Sequence, residues 1–144
     1  MRYTLSNTIN KPLNEVIDKL KDPEGAKQWI EGLREIEYLS GAPGEVGTKS
    51  NLHCVHKKKE MIIVETILEK NFPDQIKFAY QSPMGYNEVE MLFEKLSETS
   101  VSQTTNSYFE FKGPMKIMGV LFKGMFKKQS LKYMTAFKDY VENK

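Results

Sequence analysis

The residue best suited to acid–base chemistry is Glu65, a carboxylate within a largely apolar stretch. On an extended strand its face carries apolar neighbours: Met61, Ile63 and Ile67. Such surroundings raise the pKa of a carboxyl group, as a general acid or base requires. The opposite face is also mostly apolar, with Ile62, Val64, Thr66 and Leu68. The pattern therefore leaves the direction of Glu65 open, and a purely structural role is the alternative to catalysis.

A second group of reactive side chains is the segment His53-Cys54-Val55-His56. On a strand Cys54 and His56 share one face and His53 lies on the other, so at most two ligands converge. A structural zinc site needs four ligands, and we predict no metal site. Two neighbours along one strand face are also not a shaped nucleophile–base pair.

The remaining polar signals indicate binding rather than a recognisable catalytic or nucleotide motif. The sequence has no GxSxG, no phosphate-binding glycine loop and no dinucleotide fingerprint, so we expect no cofactor. The lysines of the HKKKE segment are few and lack interleaved aromatics, which indicates a solvated turn and no nucleic-acid partner. Three amides are candidates for hydrogen bonds inside a cavity: Asn7, Gln103 and Gln129.

Length and composition favour one domain over residues 1–144. The chain has 40% hydrophobic and 28% charged residues and a net charge of +2, which is typical of a globular protein. A single cysteine excludes an internal disulfide and favours a reducing compartment. No segment resembles a signal peptide or reaches the ~18 apolar residues of a spanning helix. We therefore expect a cytoplasmic protein without stable membrane insertion.

The hydrophobic periodicity predicts the elements that must position these residues. Residues 2–9 alternate as a strand, and a helix follows from Leu13 until Pro23 ends it. A second short helix carries Trp29, with Gly32 as its stop. About six antiparallel strands follow, and a long helix begins at Met115. Its predicted inward stripe is Met115, Met118, Gly119, Phe122, Met125, Phe126, Gln129, Tyr133, Ala136, Phe137 and Tyr140.

This order resembles the START-like (SRPBCC) superfamily, which includes lipid-transfer domains, birch-pollen-type allergens and polyketide cyclases. TINKPLNEVIDKLKDPEGAKQWIEG is similar to its opening strand and helix pair, and GAPGEVGTKSNL to its glycine-rich turn. VETILEKNFPDQIKFAY resembles its hairpin, and LKYMTAFKDYVEN its final helix. The resemblance implies an α+β helix-grip fold, with a strongly curved antiparallel sheet of six or seven strands around the long helix.

The resemblance also implies a cavity between sheet and helix for a small hydrophobic molecule, such as a lipid, sterol, polyketide or aromatic compound. The predicted ligand-binding residues are Trp29, Ile63, Phe78, Tyr80, Met91, Phe93, Phe109, Met118, Phe122, Phe126, Gln129 and Tyr133. Core packing is the alternative for each of them. We favour a non-enzymatic carrier or sensor. A cyclase or dehydrase-like enzyme using Glu65 is the alternative, and a monomer and a homodimer are both open.

The segment GPMKIMGVLFKGMFKK, residues 113–128, is unusually apolar for a helix start. Gly119 and Gly124 are costly in a helix interior, at ~1 kcal/mol each relative to alanine. We expect a break near one of them and a movable entrance to the cavity over residues 113–126, with a rigid first turn as the alternative. Ile117, Val120 and Leu121 fall outside the stripe and are predicted to face outward, toward a subunit, a membrane surface or the same domain.

Overall fold

A computed structural model describes residues 1–143 and places them in seven strands and four helices. The strands are β1 (Arg2–Ile9), β2 (Leu33–Ser40), β3 (Lys49–His56), β4 (Lys59–Asn71), β5 (Gln75–Ser82), β6 (Gly85–Ser97) and β7 (Ser100–Phe111). The helices are α1 (Leu13–Lys21), α2 (Pro23–Trp29), α3 (Met115–Leu121) and α4 (Lys123–Asn143). The predicted order of strand, two short helices, six strands and C-terminal helical segment is confirmed.

The strands form one antiparallel sheet in the order β1-β7-β6-β5-β4-β3-β2. Short turns pair consecutive strands, and β1 returns to pair with β7 along its whole length. The sheet has two ends. We call them the α3 end, where β7 leads into α3, and the α1 end, where β1 leads into α1. The β3–β4 and β5–β6 turns lie at the α3 end, and the other three turns between strands lie at the α1 end.

Two side chains of β1 identify the face of the sheet that is turned toward α4. The Tyr3 hydroxyl donates a hydrogen bond to the Phe126 carbonyl at 3.1 Å, and Asn7 Nδ2 donates to the Met134 carbonyl at 3.4 Å. Because alternate residues of a strand share a face, the strand register extends this inner face across the sheet. The alternation in β7 agrees, since Val101, Gln103, Thr105 and Ser107 are buried.

The tightly packed core lies at the α1 end of the inner face. Phe137 of α4 is completely buried there and packs against Trp29 of α2, with ring centroids 5.0 Å apart and ring planes tilted by 60°. The core cluster that contains Phe137 has members from both helices and strands: Ile9, Val16, Ile17, Ile67, Ile76, Met91, Phe93, Val101, Tyr140 and Val141. The sheet is thereby clamped to the helices at one end.

The helix pair after β1 follows from local signals. In α1 the buried residues Val16 and Ile17 face the core, and the helix ends before Asp22. The Asp22 carboxylate accepts a hydrogen bond from the backbone N–H of Glu24 at 3.0 Å and so caps α2. Pro23 occupies the first position of α2, where a proline needs no N–H partner. The sequence pattern GAKQWIEGL predicts a start of the second helix at Gly25. In the structure the helix begins two residues earlier, at Pro23.

The C-terminal segment differs from the predicted single stripe. The helix breaks at Phe122, whose φ of −115° and ψ of 27° are not helical, and so between Gly119 and Gly124 instead of at either one. The first part of the predicted inward stripe is wrong, both before the break and in the first turns of α4. Four of its members are exposed: Met118, Phe122, Met125 and Gln129. Among the described residues, no helix is both long and apolar enough to cross a membrane.

The two glycines of this segment have different surroundings, which gives a direct prediction. A Cβ at Gly119 would collide with the Phe111 ring, whereas a Cβ at Gly124 meets nothing within 4 Å. Phe111 cannot simply swing away, because Phe126 packs against it at 5.0 Å. We expect Gly119→Ala to lower the free energy of unfolding by about 1 kcal/mol after its helix-propensity gain is included. Gly124→Ala should raise it by up to ~1 kcal/mol.

Urea unfolding of the two variants measures this difference directly. Both changes add one methyl group to a helical glycine, so each serves as the control for the other. Equal effects of the two substitutions would show that the Gly119–Phe111 contact does not restrict the residue at position 119.

Candidate functional site

One cross-strand row of the inner face is mostly polar, although it lies within an apolar enclosure. The register places Glu65 opposite both Ser50 and Tyr80, Tyr80 opposite Asn87, and Asn87 opposite Phe109. We call these five residues the polar row: Ser50, Glu65, Tyr80, Asn87 and Phe109. It crosses five strands toward the α3 end, away from the packed core. The neighbouring row toward the core is apolar at Ile67, Phe78 and Val89.

Glu65 and Tyr80 are the titratable pair of the polar row. Both side chains lie on the inner face of the sheet and are partly buried. The enclosure raises the pKa of the Glu65 carboxyl by desolvation, and a hydrogen bond from the Tyr80 hydroxyl partly offsets that increase. The question of direction left open by the sequence is thus answered, because Glu65 points inward.

The pKa of Tyr80 is raised well above its ordinary value, first by desolvation and then by the neighbouring Glu65 carboxylate. Tyr133 of α4 lies close enough to add to this increase. At neutral pH Tyr80 is therefore a neutral hydroxyl, which can donate a hydrogen bond to the neighbouring carboxyl of Glu65. A carboxyl group of raised pKa beside a phenol can hold a polar ligand group or exchange a proton with it.

An aromatic cluster continues from the Phe109 end of the polar row. Phe109 stacks with Phe111 and with Tyr3, both at 5.8 Å, and Phe126 of α4 packs on Phe109 and Phe111 at 5.8 and 5.0 Å. The Tyr3 hydroxyl also shares a 2.6 Å hydrogen bond with the Ser130 hydroxyl. These contacts attach the first turns of α4 to β1 and β7. Tyr3 is buried, and the three phenylalanine rings are only partly buried.

Three buried acceptor atoms of the inner face have no hydrogen-bond partner within the described part of the chain: Asn7 Oδ1, Gln103 Oε1 and Thr105 Oγ1. The Gln103 side chain is 1% exposed. A buried polar atom without a partner costs ~1–3 kcal/mol, so such atoms are uncommon in folded proteins. All three belong to β1 and β7, and Asn7 lies directly opposite Gln103.

The structure brings together some of the predicted ligand-binding residues and separates others. Ile63, Phe78, Tyr80, Phe109, Phe126 and Tyr133 are partly buried around the polar row or beside it. Met91 and Phe93 are members of the packed core, and Trp29 packs against that core through Phe137. Met118 and Phe122 are 39% and 42% exposed, and Gln129 is exposed as well.

Ser50 and Asn87 are the site residues that sequence reasoning did not find. Each is a small polar side chain on a strand with ordinary alternation, so neither stands out from its own segment. Only the register, which aligns them with Glu65 and Tyr80, reveals the row. Pairing the predicted strands around their turns would have placed Ser50 and Asn87 in one row with Glu65 and Tyr80.

Metal-ligating groups and surface depressions complete the description. Among residues 1–143, no three His, Cys, Asp or Glu side chains form a group that could hold a metal ion. His53 lies on the outer face, and its Nε2 is within hydrogen-bond distance of Glu37 Oε1, at 2.9 Å. Burial raises the pKa of the Cys54 thiol. A surface depression of about 380 Å³ borders Phe109, Gly119 and Val120. Glu65 and Tyr80 are not part of its wall.

Comparison with known proteins supplies structural relatives at low sequence identity. No protein-family model matches the sequence, and no curated protein matches it significantly. The Zhui aromatase/cyclase from Streptomyces sp. R1128 is similar over 99% of this chain and 93% of its own, with a TM-score of 0.80 and 13% identity. A START superfamily protein from Mycobacterium smegmatis is similar over 99% and 97%, with a TM-score of 0.79 and 14% identity.

A third similar structure is Ara h 8.0201, which matches 100% of this chain and 99% of its own, with a TM-score of 0.76 and 15% identity. The three matches cover the whole arrangement of curved sheet, helix pair and C-terminal helix. At this identity the likeness concerns architecture, and it agrees with the resemblance read from the sequence. The chain has the START-like helix-grip fold.

Proposed function

We propose that this protein binds a small, largely apolar molecule between the curved sheet and α4, as a carrier or sensor. The observation that carries the proposal is the enclosed Glu65–Tyr80 pair, set among apolar and aromatic side chains at the end of the inner face away from the packed core. A few polar groups within apolar walls are the usual composition of a small-molecule site.

The solvent-accessible surface that Glu65 and Tyr80 retain supports a binding space beside them. The strand register places Glu65 and Tyr80 on the inner face, so the surface they keep is not explained by an outward orientation. The packed core offers the contrast, because Phe137 and Val101 have no accessible surface. The inner face is therefore closed at the α1 end and less densely filled toward the α3 end.

The available hydrogen-bonding groups indicate the chemistry of the ligand. The Glu65 carboxyl is an acceptor and favours ligand hydroxyl groups that donate hydrogen bonds. The rings of Phe78, Phe109 and Phe126 favour a planar or apolar body. A hydroxylated aromatic compound combines both features, and a fatty acid would instead bring its carboxylate against Glu65. We therefore place hydroxylated aromatics ahead of fatty acids and sterols.

Binding of the hydroxylated aromatic compound naringenin, measured by isothermal titration calorimetry, tests the proposal. We expect saturable binding to the unmodified protein. Tyr80→Phe removes one hydroxyl and should weaken binding about 2–10-fold, the usual value of a neutral hydrogen bond. Glu65→Gln should weaken it by up to about 100-fold, because a hydrogen bond to a charged group is stronger.

Glu94→Gln is the matched control, because it makes the same substitution at an exposed position of β6. Oleic acid and cholesterol are the comparison probes for the other two ligand classes. The proposal fails if naringenin, oleic acid and cholesterol all show no saturable binding. It also fails if Glu65→Gln and Glu94→Gln bind equally well the probe for which the unmodified protein has the highest affinity.

The second candidate function is a cyclase or dehydrase-like reaction in the same space. The specific observation in its favour is the raised pKa of Glu65 beside the Tyr80 donor, which suits proton transfer. The test is product formation from a poly-β-carbonyl thioester, followed by mass spectrometry. A cyclised or dehydrated product that disappears in Glu65→Gln, while Glu94→Gln retains it, would favour the enzyme over the carrier.

A further inference from the structure

The surface around α3 exposes more apolar side chain than any interior role explains. Val120, Leu121 and Ile117 are 82%, 69% and 67% exposed, and three neighbours are exposed as well. We call the following residues the α3 patch: Ile117, Met118, Val120, Leu121, Phe122 and Met125. A contiguous exposed apolar surface of this kind marks an interaction site. The side of α3 that meets the domain is instead occupied by Gly119, against Phe111.

Lysines surround the α3 patch, and acidic residues are absent from its sequence neighbourhood. Residues 111–138 contain seven lysines and no aspartate or glutamate. The rest of the chain therefore has 14 of the 21 basic residues and all 19 acidic ones. Five of these lysines are exposed and form no ion pair within residues 1–143: Lys112, Lys116, Lys123, Lys127 and Lys128.

The charges of the turns give the molecule a polarity in the same direction. At the α3 end, the β3–β4 turn carries Lys57 and Lys58, and Lys112 follows β7, with no acidic residue in these turns. At the α1 end, the three turns between strands contain Glu45, Asp74 and Glu98 and no basic residue. The turns between strands are therefore basic at the α3 end and acidic at the α1 end.

We propose that the α3 patch docks on the surface of an anionic lipid bilayer. Apolar side chains of a short amphipathic segment enter the boundary between headgroups and acyl chains, and the surrounding lysines contact the anionic headgroups. The lysine stems can extend along the apolar boundary while their ammonium groups stay in water. This proposal does not rest on the proposed ligand, because the patch is exposed on the outside of the protein.

A second copy of this chain fits the α3 patch less well. A two-fold dimer would place the same patch on both sides of its interface. The interface would then gather ten lysines, with no acidic residue from residues 111–138 to offset them, and like charges at an interface are unfavourable. An anionic bilayer meets both the apolar and the cationic part of the surface.

Co-sedimentation with vesicles tests the docking proposal. We expect binding to phosphatidylcholine vesicles that contain about 30% phosphatidylserine, and at least tenfold weaker binding to phosphatidylcholine alone. About 0.5 M NaCl should weaken the binding strongly, because it screens exposed charges. Val120→Glu should reduce affinity at least tenfold, since it places an acidic group at the most exposed apolar position. The double change Lys123→Glu and Lys127→Glu should have a similar effect.

Two matched controls lie at the α1 end of the sheet. Val46→Glu changes a valine that is 56% exposed, and Lys49→Glu reverses an exposed lysine. Both should bind the anionic vesicles like the unmodified protein. Equal loss in Val46→Glu and Val120→Glu would overturn the proposal, as would absence of binding to the anionic vesicles. A concentration-dependent dimer in analytical ultracentrifugation that Val120→Glu abolishes, without vesicle binding, would assign the patch to a second copy.

Discussion

Phe137→Ala is expected to lower the free energy of unfolding by about 3–5 kcal/mol, the usual cost of truncating a buried phenylalanine. Phe137 has no exposed surface, and its ring contacts Trp29 at 5.0 Å between α2 and α4. The change removes the side chain that joins both helices to the closed end of the sheet. Neighbours from three elements would have to move together to refill the space, so little of the cost can be recovered.

Urea unfolding at neutral pH measures this effect, and thermal unfolding should show a decrease in Tm of about 10 °C or more. Leu131→Ala is the control, because Leu131 lies on the same helix and is 44% exposed. It should change stability by less than about 0.5 kcal/mol. A loss below about 1 kcal/mol in Phe137→Ala would contradict the position of the core at the α1 end.

The order of elements could be predicted because each segment carries its own periodicity. Alternation in β1 and β7 and the apolar positions of α1 depend on residues within a few positions of one another. The turns between the strands are short, so consecutive strands had to pair as antiparallel neighbours. The fold class therefore followed from local patterns, and the structure confirms it.

The direction of Glu65 could not be predicted for the opposite reason. Both faces of β4 are largely apolar, so its own alternation does not separate inside from outside. The direction is decided by pairing, which aligns Glu65 with Tyr80 on one side and Ser50 on the other. Burial of a carboxyl group thus depends on residues 15 positions away in either direction, which no local pattern contains.

The start of the C-terminal helical segment was mispredicted because one residue changes its phase. A continuous helix would have brought Met118 and Phe122 inward with Phe126. The non-helical backbone of Phe122 ends α3, and Phe126 alone reaches the aromatic cluster. A helix wheel drawn through Phe122 therefore assigns Met118 and Phe122 to the interior, although both are exposed. It places Ile117, Val120 and Leu121 outside, where the structure has them. Movement of residues 113–126 as a lid stays a prediction.

The pH dependence of stability should reveal the environment of Glu65. Because its pKa is raised above the ordinary value of 4.5, the folded state binds its proton more tightly than the unfolded state does. The contribution of Glu65 to the free energy of unfolding is fully present at pH values below its ordinary pKa. It decreases as the pH rises through the raised pKa of the folded state. Each unit of elevation corresponds to about 1.36 kcal/mol at high pH.

Glu65→Gln removes this cost while it keeps the shape of the side chain and an acceptor for the Tyr80 hydroxyl. We expect the variant to be more stable than the unmodified protein at about pH 8, by on the order of 1 kcal/mol or more. At about pH 4 the two proteins should be nearly equal, because Glu65 is then protonated in both the folded and the unfolded state.

Urea unfolding across this pH range measures the difference in stability between the variant and the unmodified protein. Glu94→Gln, at an exposed position of β6, is the control. The control should show no comparable gain at high pH. If Glu65→Gln instead changes stability equally at both pH values, the pKa of Glu65 is the same in the folded and unfolded states and the carboxyl is not desolvated. That result would remove the physical basis for ligand anchoring and for proton transfer at the Glu65–Tyr80 pair, because both depend on a carboxyl group that is held away from water.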